Sequence, residues 1–218
     1  MTSTPDGVNP LGSTELDGES ARPAAGDAAK AKARRRARNE WIILLVLTVA
    51  GTLLIRTYVL QSYRIPSGSM EQTLHGGCDP HCAKDRILVD KLSYHLHGVG
   101  RGDIVVFKAT GPWVAAVGGS EDVVKRVIGL PGDTISCCDS QGRVVRNGKP
   151  LTEPYVFNNG PDPKKQFAQV TVPKGELWVM GDHRNDSSDS RYNGFVPISS
   201  VIGRAFMRIW PISRIGGL

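Results

Sequence analysis

The chain has 218 residues and a formal charge of +6 at pH 7. Much of the basic excess lies in Lys30, Lys32, Arg34, Arg35, Arg36 and Arg38, directly before an apolar run, and no basic patch interleaved with aromatics follows. The charge is therefore assigned to membrane topology and anionic lipid, with no nucleic acid among the expected partners.

Residues 1–39 are expected to be a disordered, basic tail. Met1 to Ala29 is rich in Gly, Ala, Pro, Ser, Thr, Asp and Glu and has no periodic apolar positions, so it cannot bury enough surface to offset the entropy of ordering. Residues 40–60 are expected to be a transmembrane anchor helix. No charge interrupts Trp41 to Ile55, and Thr57 to Leu60 completes about the 20 residues that a bilayer requires. Arg56 lies near the outer end, where its stem can snorkel, and Trp41 and Tyr58 suit the interfacial belts. The basic cluster on the preceding side puts the N-terminus in the cytoplasm by the positive-inside rule. The long preceding segment, and the lack of a small-x-small site soon after the run, favour an uncleaved single-pass anchor over a removable signal.

Residues 61–218 are then extracytoplasmic and amount to about one domain. Short β-branched runs recur at Arg86 to Val89, Asp103 to Phe107, Val123 to Ile128, Thr134 to Ser136, Val144 to Val145, Gln169 to Val172, Leu177 to Met180 and Val201 to Met207. With Gly132-Asp133, Asn147-Gly148 and Lys174-Gly175 as turns, the pattern predicts a mainly β domain, with a hairpin at Arg146 to Lys149. Cys78, Cys82, Cys137 and Cys138 lie on the side where disulfides persist. Disulfides are preferred there over zinc at Cys78-x-x-His81-Cys82. Connectivity is open, and because a mutual Cys137-Cys138 bridge is awkward, one partner is expected from Cys78 or Cys82.

Candidate chemistry centres on Ser67-Gly68-Ser69-Met70, a hydroxyl-bearing turn just beyond the anchor. A serine nucleophile needs a base. His75, His81, His95 and His97 lie in polar, loop-like sequence without a convincing carboxylate frame, and only His183 sits in an unusual loop. The alternative is a lysine whose pKa is lowered by burial. Lys125 fits, because alternation along Val123 to Ile128 sets it on a face with Val123 and Val127, and Arg126 on the other. One of the two charges must face inward if the strand is covered on both sides. The segment from Gly181 to Pro197 packs Asp182, Arg184, Asp189 and Arg191 beside small hydroxyl residues, which suits an ion-paired loop able to offer a hydroxyl to an amine.

Four stretches, in order after the apolar helix, resemble the boxes of type I signal peptidases, the bacterial Ser-Lys leader peptidases, and of the Gram-positive actinobacterial kind in particular. They are Pro66 to Met70 with Thr73-Leu74, Arg101 to Phe107, Lys125 to Asp133, and Gly181 to Pro197. The resemblance implies a signal-peptidase-like β-fold catalytic domain and a serine endopeptidase that cleaves signal peptides from secretory preproteins after Ala-x-Ala-like sites, with no cofactor or metal. It implies Ser69 as nucleophile, Lys125 as general base, Ser67 with the Ser69 backbone N–H as the oxyanion hole, and Ser187 as the hydroxyl orienting the lysine. Asp182, Arg184, Asp189, Arg191 and Arg126 become supporting residues. Gln72 stands where proline is common and His183 where asparagine is frequent, and neither receives a catalytic role. The short Thr134 to Glu176 segment implies a small second β-subdomain. Two rivals are weaker. A LexA-like self-cleaving regulator would lack the membrane helix and carry a DNA-binding helical region, and a tethered binding module would leave Ser69 and Lys125 inert.

Overall fold

The computed structural model describes residues 25–77, 83–117, 122–157 and 166–218. Residues 1–50 and 51–218 form two units. The first is described from Ala25, the start of helix α1 (Ala25–Tyr58). Residues 25–39, expected in the tail, are helical instead. Ala, Lys and Arg dominate this stretch and rank high in helix propensity, and a turn added to an existing apolar helix incurs no nucleation cost. The first 24 residues of the expected tail lie outside the described residues. Within α1, Lys32–Arg56 is long and apolar enough to cross a membrane, and its apolar side chains, such as Trp41, Leu45 and Leu47, are exposed.

In the second unit, Leu60, expected in the anchor, instead opens a strand. The elements are β1 (Leu60–Arg64), β2 (Arg86–Asp90), α2 (Leu92–His97), β3 (Ile104–Lys108), α3 (Pro112–Ala116) and β4 (Asp122–Gly129). Next come β5 (Thr134–Cys137), β6 (Val144–Arg146), β7 (Lys149–Pro150), β8 (Phe167–Thr171) and β9 (Glu176–Met180). The last are α4 (Ser190–Asn193), β10 (Val196–Pro197), β11 (Val201–Trp210) and β12 (Gly216–Gly217).

The main sheet runs β1-β2-β11-β3-β4-β9-β10, with β12 on β11, and the smaller one runs β7-β6-β5-β8. The ladders between these strands are antiparallel, Phe157 and His183 form an isolated parallel bridge, and the fold is mainly β, as expected. The small sheet lies within the segment expected to form the second subdomain. At the hairpin, Asn147 (φ 52°) and Gly148 (φ 75°) both take the left-handed conformation that a two-residue type I′ turn demands.

The main sheet is covered on both faces. Along β3, Val105 and Phe107 join a core with Trp113, Val127 and Leu177, while Ile104 and Val106 join another with Ile65, Met70 and Ile87. The neighbouring strand β4 pairs Val105 with Lys125 and Ile104 with Arg126. Both charged side chains are therefore buried, one toward each face. A third core, around Ile128, Ile135, Val144 and Trp178, ties the smaller sheet to β4 and β9.

The disulfide expectation is corrected in part. Cys137 and Cys138 pair with each other, across a cis peptide that sets their Cα atoms 3.0 Å apart. Cys78, Cys82 and His81 lie outside the described residues.

Candidate active site

Ser69 is the middle residue of a single 3-10 turn, Gly68–Met70, whose flanks are pinned by Ile65, Met70 and Leu74 in the core. Two glycines let the returning chain approach this turn closely. A Cβ on Gly76 would run into the Ser67 carbonyl oxygen, and one on Gly77 would lie 2.8 Å from the Gly68 backbone. The returning chain thus packs against the turn, and Ser69 is 8% exposed.

Lys125 reaches this turn from β4. Its Nζ lies 2.7 Å from Ser69 Oγ, and Ser67 Oγ lies 3.3 Å from the same oxygen. Among the described residues no carboxylate pairs directly with the amine. Burial among apolar neighbours disfavours the ammonium and draws the pKa from its ordinary 10.5 down to about 8, against the opposing pull of Asp189 and Asp182. The hydroxyl and amine sit in a groove of about 340 Å³, whose apolar walls include Ile65, Met70, Ala116, Val117 and Val123.

Arg126, on the opposite side of β4, makes a bidentate pair with Asp182: Nε to Oδ1 is 2.8 Å and Nη2 to Oδ2 is 2.6 Å. Thr73 Oγ1 donates to the same carboxylate at 2.5 Å, and the guanidinium also donates to the Gly102 carbonyl at 2.8 Å. Asp189 takes both Nε and Nη2 of Arg191 at 2.8 Å and accepts the Gly181 N–H at 3.0 Å. Arg191 also donates to the Arg184 carbonyl, and Arg184 donates to the Gly181 carbonyl. The loop is closed on itself by paired charges whose polar atoms have partners, the condition under which buried ions are tolerated.

The structure brings Ser67, Ser69 and Lys125 together, with Arg126, Asp182, Arg184, Asp189 and Arg191 in one adjoining network. Ser187 is buried, but its hydroxyl has no hydrogen-bond partner among the described residues and does not bond the Lys125 amine. It packs against Gly181, where a Cβ would strike its oxygen and lie 2.5 Å from the Ser69 carbonyl. His183 adjoins the nucleophile turn: its backbone N–H donates to the Ser69 carbonyl at 3.1 Å.

Sequence reasoning missed Glu153 and Tyr155. Glu153 pairs with Arg184 at 2.6 and 2.9 Å, and Tyr155 donates to Glu153 while its ring lies 4.0 Å beneath the Arg126 guanidinium. Burial, with the Glu153 charge next to it, raises the Tyr155 pKa. The acidic-aromatic pair in a turn-rich segment was the available signal, but nothing in the local sequence joins it to arginines on other elements.

Comparison with known proteins places the chain in a family. Residues 38–210 match the family model described as "Signal peptidase, peptidase S26". A probable signal peptidase I of Mycobacterium leprae is 37% identical over 85% of this chain and 80% of its own. Probable signal peptidase I-2 of Synechocystis is 41% identical over 82% of this chain and 77% of its own. Signal peptidase I of Mycobacterium tuberculosis is 36% identical over 93% and 82% respectively. The chain belongs to the signal peptidase family, peptidase S26, whose members are membrane-anchored serine endopeptidases.

Proposed function

We propose that this endopeptidase removes signal peptides from secretory preproteins through a dyad of Ser69 and Lys125. The observation that carries the reading is the 2.7 Å contact between the serine hydroxyl and a buried amine whose pKa is lowered toward working pH. Neutral Lys125 takes the Ser69 proton as Oγ attacks the scissile carbonyl. The Ser69 N–H and the Ser67 hydroxyl, which lies 3.3 Å from Ser69 Oγ, donate to the oxyanion. The ammonium then returns the proton to the departing amine, and the C–N bond breaks. Water, deprotonated by the same amine, attacks the acyl-serine ester; the C–Oγ bond breaks, the ammonium returns its proton to Ser69 Oγ, and the cleaved signal peptide leaves as its carboxylate.

A groove with apolar walls favours small residues before the scissile bond, in an Ala-x-Ala pattern. The apolar helix holds the enzyme in the bilayer that also holds its substrate, raising the effective concentration of one for the other. We assign the N-terminus to the cytoplasm and residues 61–218 to the far side of the membrane, on the basic cluster before the helix. Cleavage of an Ala-x-Ala preprotein by the full chain in detergent is the test. Ser69→Ala and Lys125→Ala should both abolish turnover with the fold intact, and retained cleavage by either would sink the dyad.

A further inference from the structure

His183 makes two contacts with the nucleophile turn. Its backbone N–H donates to the Ser69 carbonyl at 3.1 Å, and its ring Nδ1 lies 3.3 Å from the Gly68 carbonyl oxygen. A carbonyl oxygen can only accept, so Nδ1 must carry the proton in this contact. The ring is mostly buried and is steadied by an edge-to-face contact with Phe157 at 4.9 Å. Asp186 Oδ2 lies 3.9 Å from Nδ1, too far for a hydrogen bond.

The position of these carbonyls matters because a peptide unit is planar. The Gly68 carbonyl and the Ser69 N–H are opposite edges of one plane. That oxygen already accepts the Glu71 N–H within the turn at 3.0 Å, and the imidazole N–H adds a second hold from outside it, which steadies the direction in which the Ser69 N–H points. A donor on a peptide oxygen also polarises the unit and strengthens its N–H as a donor. The Ser69 carbonyl belongs to the next peptide plane, which the His183 N–H holds. One residue therefore grips both planes that flank the Ser69 Cα.

We infer that His183 is a positioning residue for the oxyanion hole, acting on the Ser69 N–H through the Gly68 peptide. The inference rests on the proposed dyad and assigns a role within it. It also separates two side chains of similar size. The Nδ2 of asparagine lies as many bonds from Cα as the imidazole Nδ1, so it can reach the Gly68 carbonyl, whereas the glutamine amide extends one bond further.

The test uses the full chain in detergent with His183→Ala, His183→Asn and His183→Gln, measuring kcat and KM on an Ala-x-Ala preprotein. A peptide aldehyde reports on the hole independently. The serine O–H adds across its C=O to give a hemiacetal, and the former carbonyl oxygen occupies the oxyanion position. His183→Ala should lower kcat about tenfold, the scale of one hydrogen bond, leave KM nearly unchanged, and weaken aldehyde inhibition in parallel. His183→Asn should recover most of both losses and His183→Gln should not. Should the alanine variant fail to fold, the Asn and Gln variants still decide the question. Wild-type kcat in all three variants, equal rates for Asn and Gln, or a loss confined to KM would overturn the role. Full cleavage by Ser69→Ala would instead overturn the underlying dyad. A dead Ser69→Ala beside fully active His183 variants removes only the inference drawn for His183.

Discussion

Replacing Lys125 by Met should destroy activity and make the protein more stable at neutral pH. The folded-state pKa of about 8 lies well below the ordinary 10.5. Between those values the unfolded chain binds a proton that the native chain does not, so native stability rises with pH through that window. Below pH 8 the cost of burying the ammonium is borne in full, and at 1.36 kcal/mol per pKa unit it is about 3 kcal/mol. Methionine fills a similar volume without charge, and the Ser69 hydroxyl keeps Ser67 Oγ as a neighbour at 3.3 Å. The variant should therefore gain about 2 to 3 kcal/mol at pH 7, and the gain should shrink toward zero as pH approaches 10.5. Urea unfolding of the full chain in detergent, followed by fluorescence of the buried Trp113 and Trp178, provides the readout. The same titration applies to the wild-type rate. About one-tenth of the amine is neutral at pH 7 and about nine-tenths at pH 9, so kcat/KM should climb with a midpoint near 8. A variant no more stable than wild type at pH 7, or a difference that does not change with pH, would refute the claim that Lys125 is held in a desolvated site.

Three further outcomes are expected. Asp182→Asn leaves the Arg126 guanidinium buried without its carboxylate and should cost about 3 to 5 kcal/mol in denaturant unfolding. Because the Asp182 charge raises the lysine pKa, its removal should also move the rising limb of the rate profile to lower pH. For topology, protease added outside intact cells should digest residues 61–218 while sparing an N-terminal tag; digestion of the tag alone would reverse the orientation.

Much of the fold was legible because β-branched runs and turn residues act locally. The runs containing Val105, Val127, Leu177 and Ala205 all form strands, and Asn147-Gly148 forms the hairpin turn that its φ angles require. Strand β1, Leu-Gln-Ser-Tyr-Arg, carries no such signal, and its pairing with β2 depends on residues about 25 positions away. The Cys137-Cys138 bridge was misjudged because spacing alone does not reveal a cis peptide. At the site, Ser69, Lys125 and the acidic-arginine loop stood out by residue type. Glu153 and Tyr155 did not, since their roles come from partners on other elements, and Thr73 was marked only as part of the nucleophile box, without its bond to Asp182. Ser187 was expected at the amine and is buried beside Gly181 without a hydrogen bond to the amine.

Adjacent positions on β4 show how one strand supports two kinds of buried cation. Arginine cannot lose its proton at any working pH, so a buried Arg126 must carry its counter-charge with it, and Asp182, Thr73, Gly102 and Tyr155 surround it accordingly. Lysine can shed its proton, so Lys125 needs no direct carboxylate partner and has none among the described residues. Asp189 and Asp182 influence it only through space, and the proposed base depends on that restraint, since a carboxylate in contact would raise its pKa. Exchanging the two residues would therefore fail on both faces. Arginine facing Ser69 could not accept a proton, and lysine facing Asp182 could not fill the bidentate geometry. Under the proposed dyad, the order Lys125-Arg126, set on a strand covered on both sides, is a chemical requirement as well as a packing one.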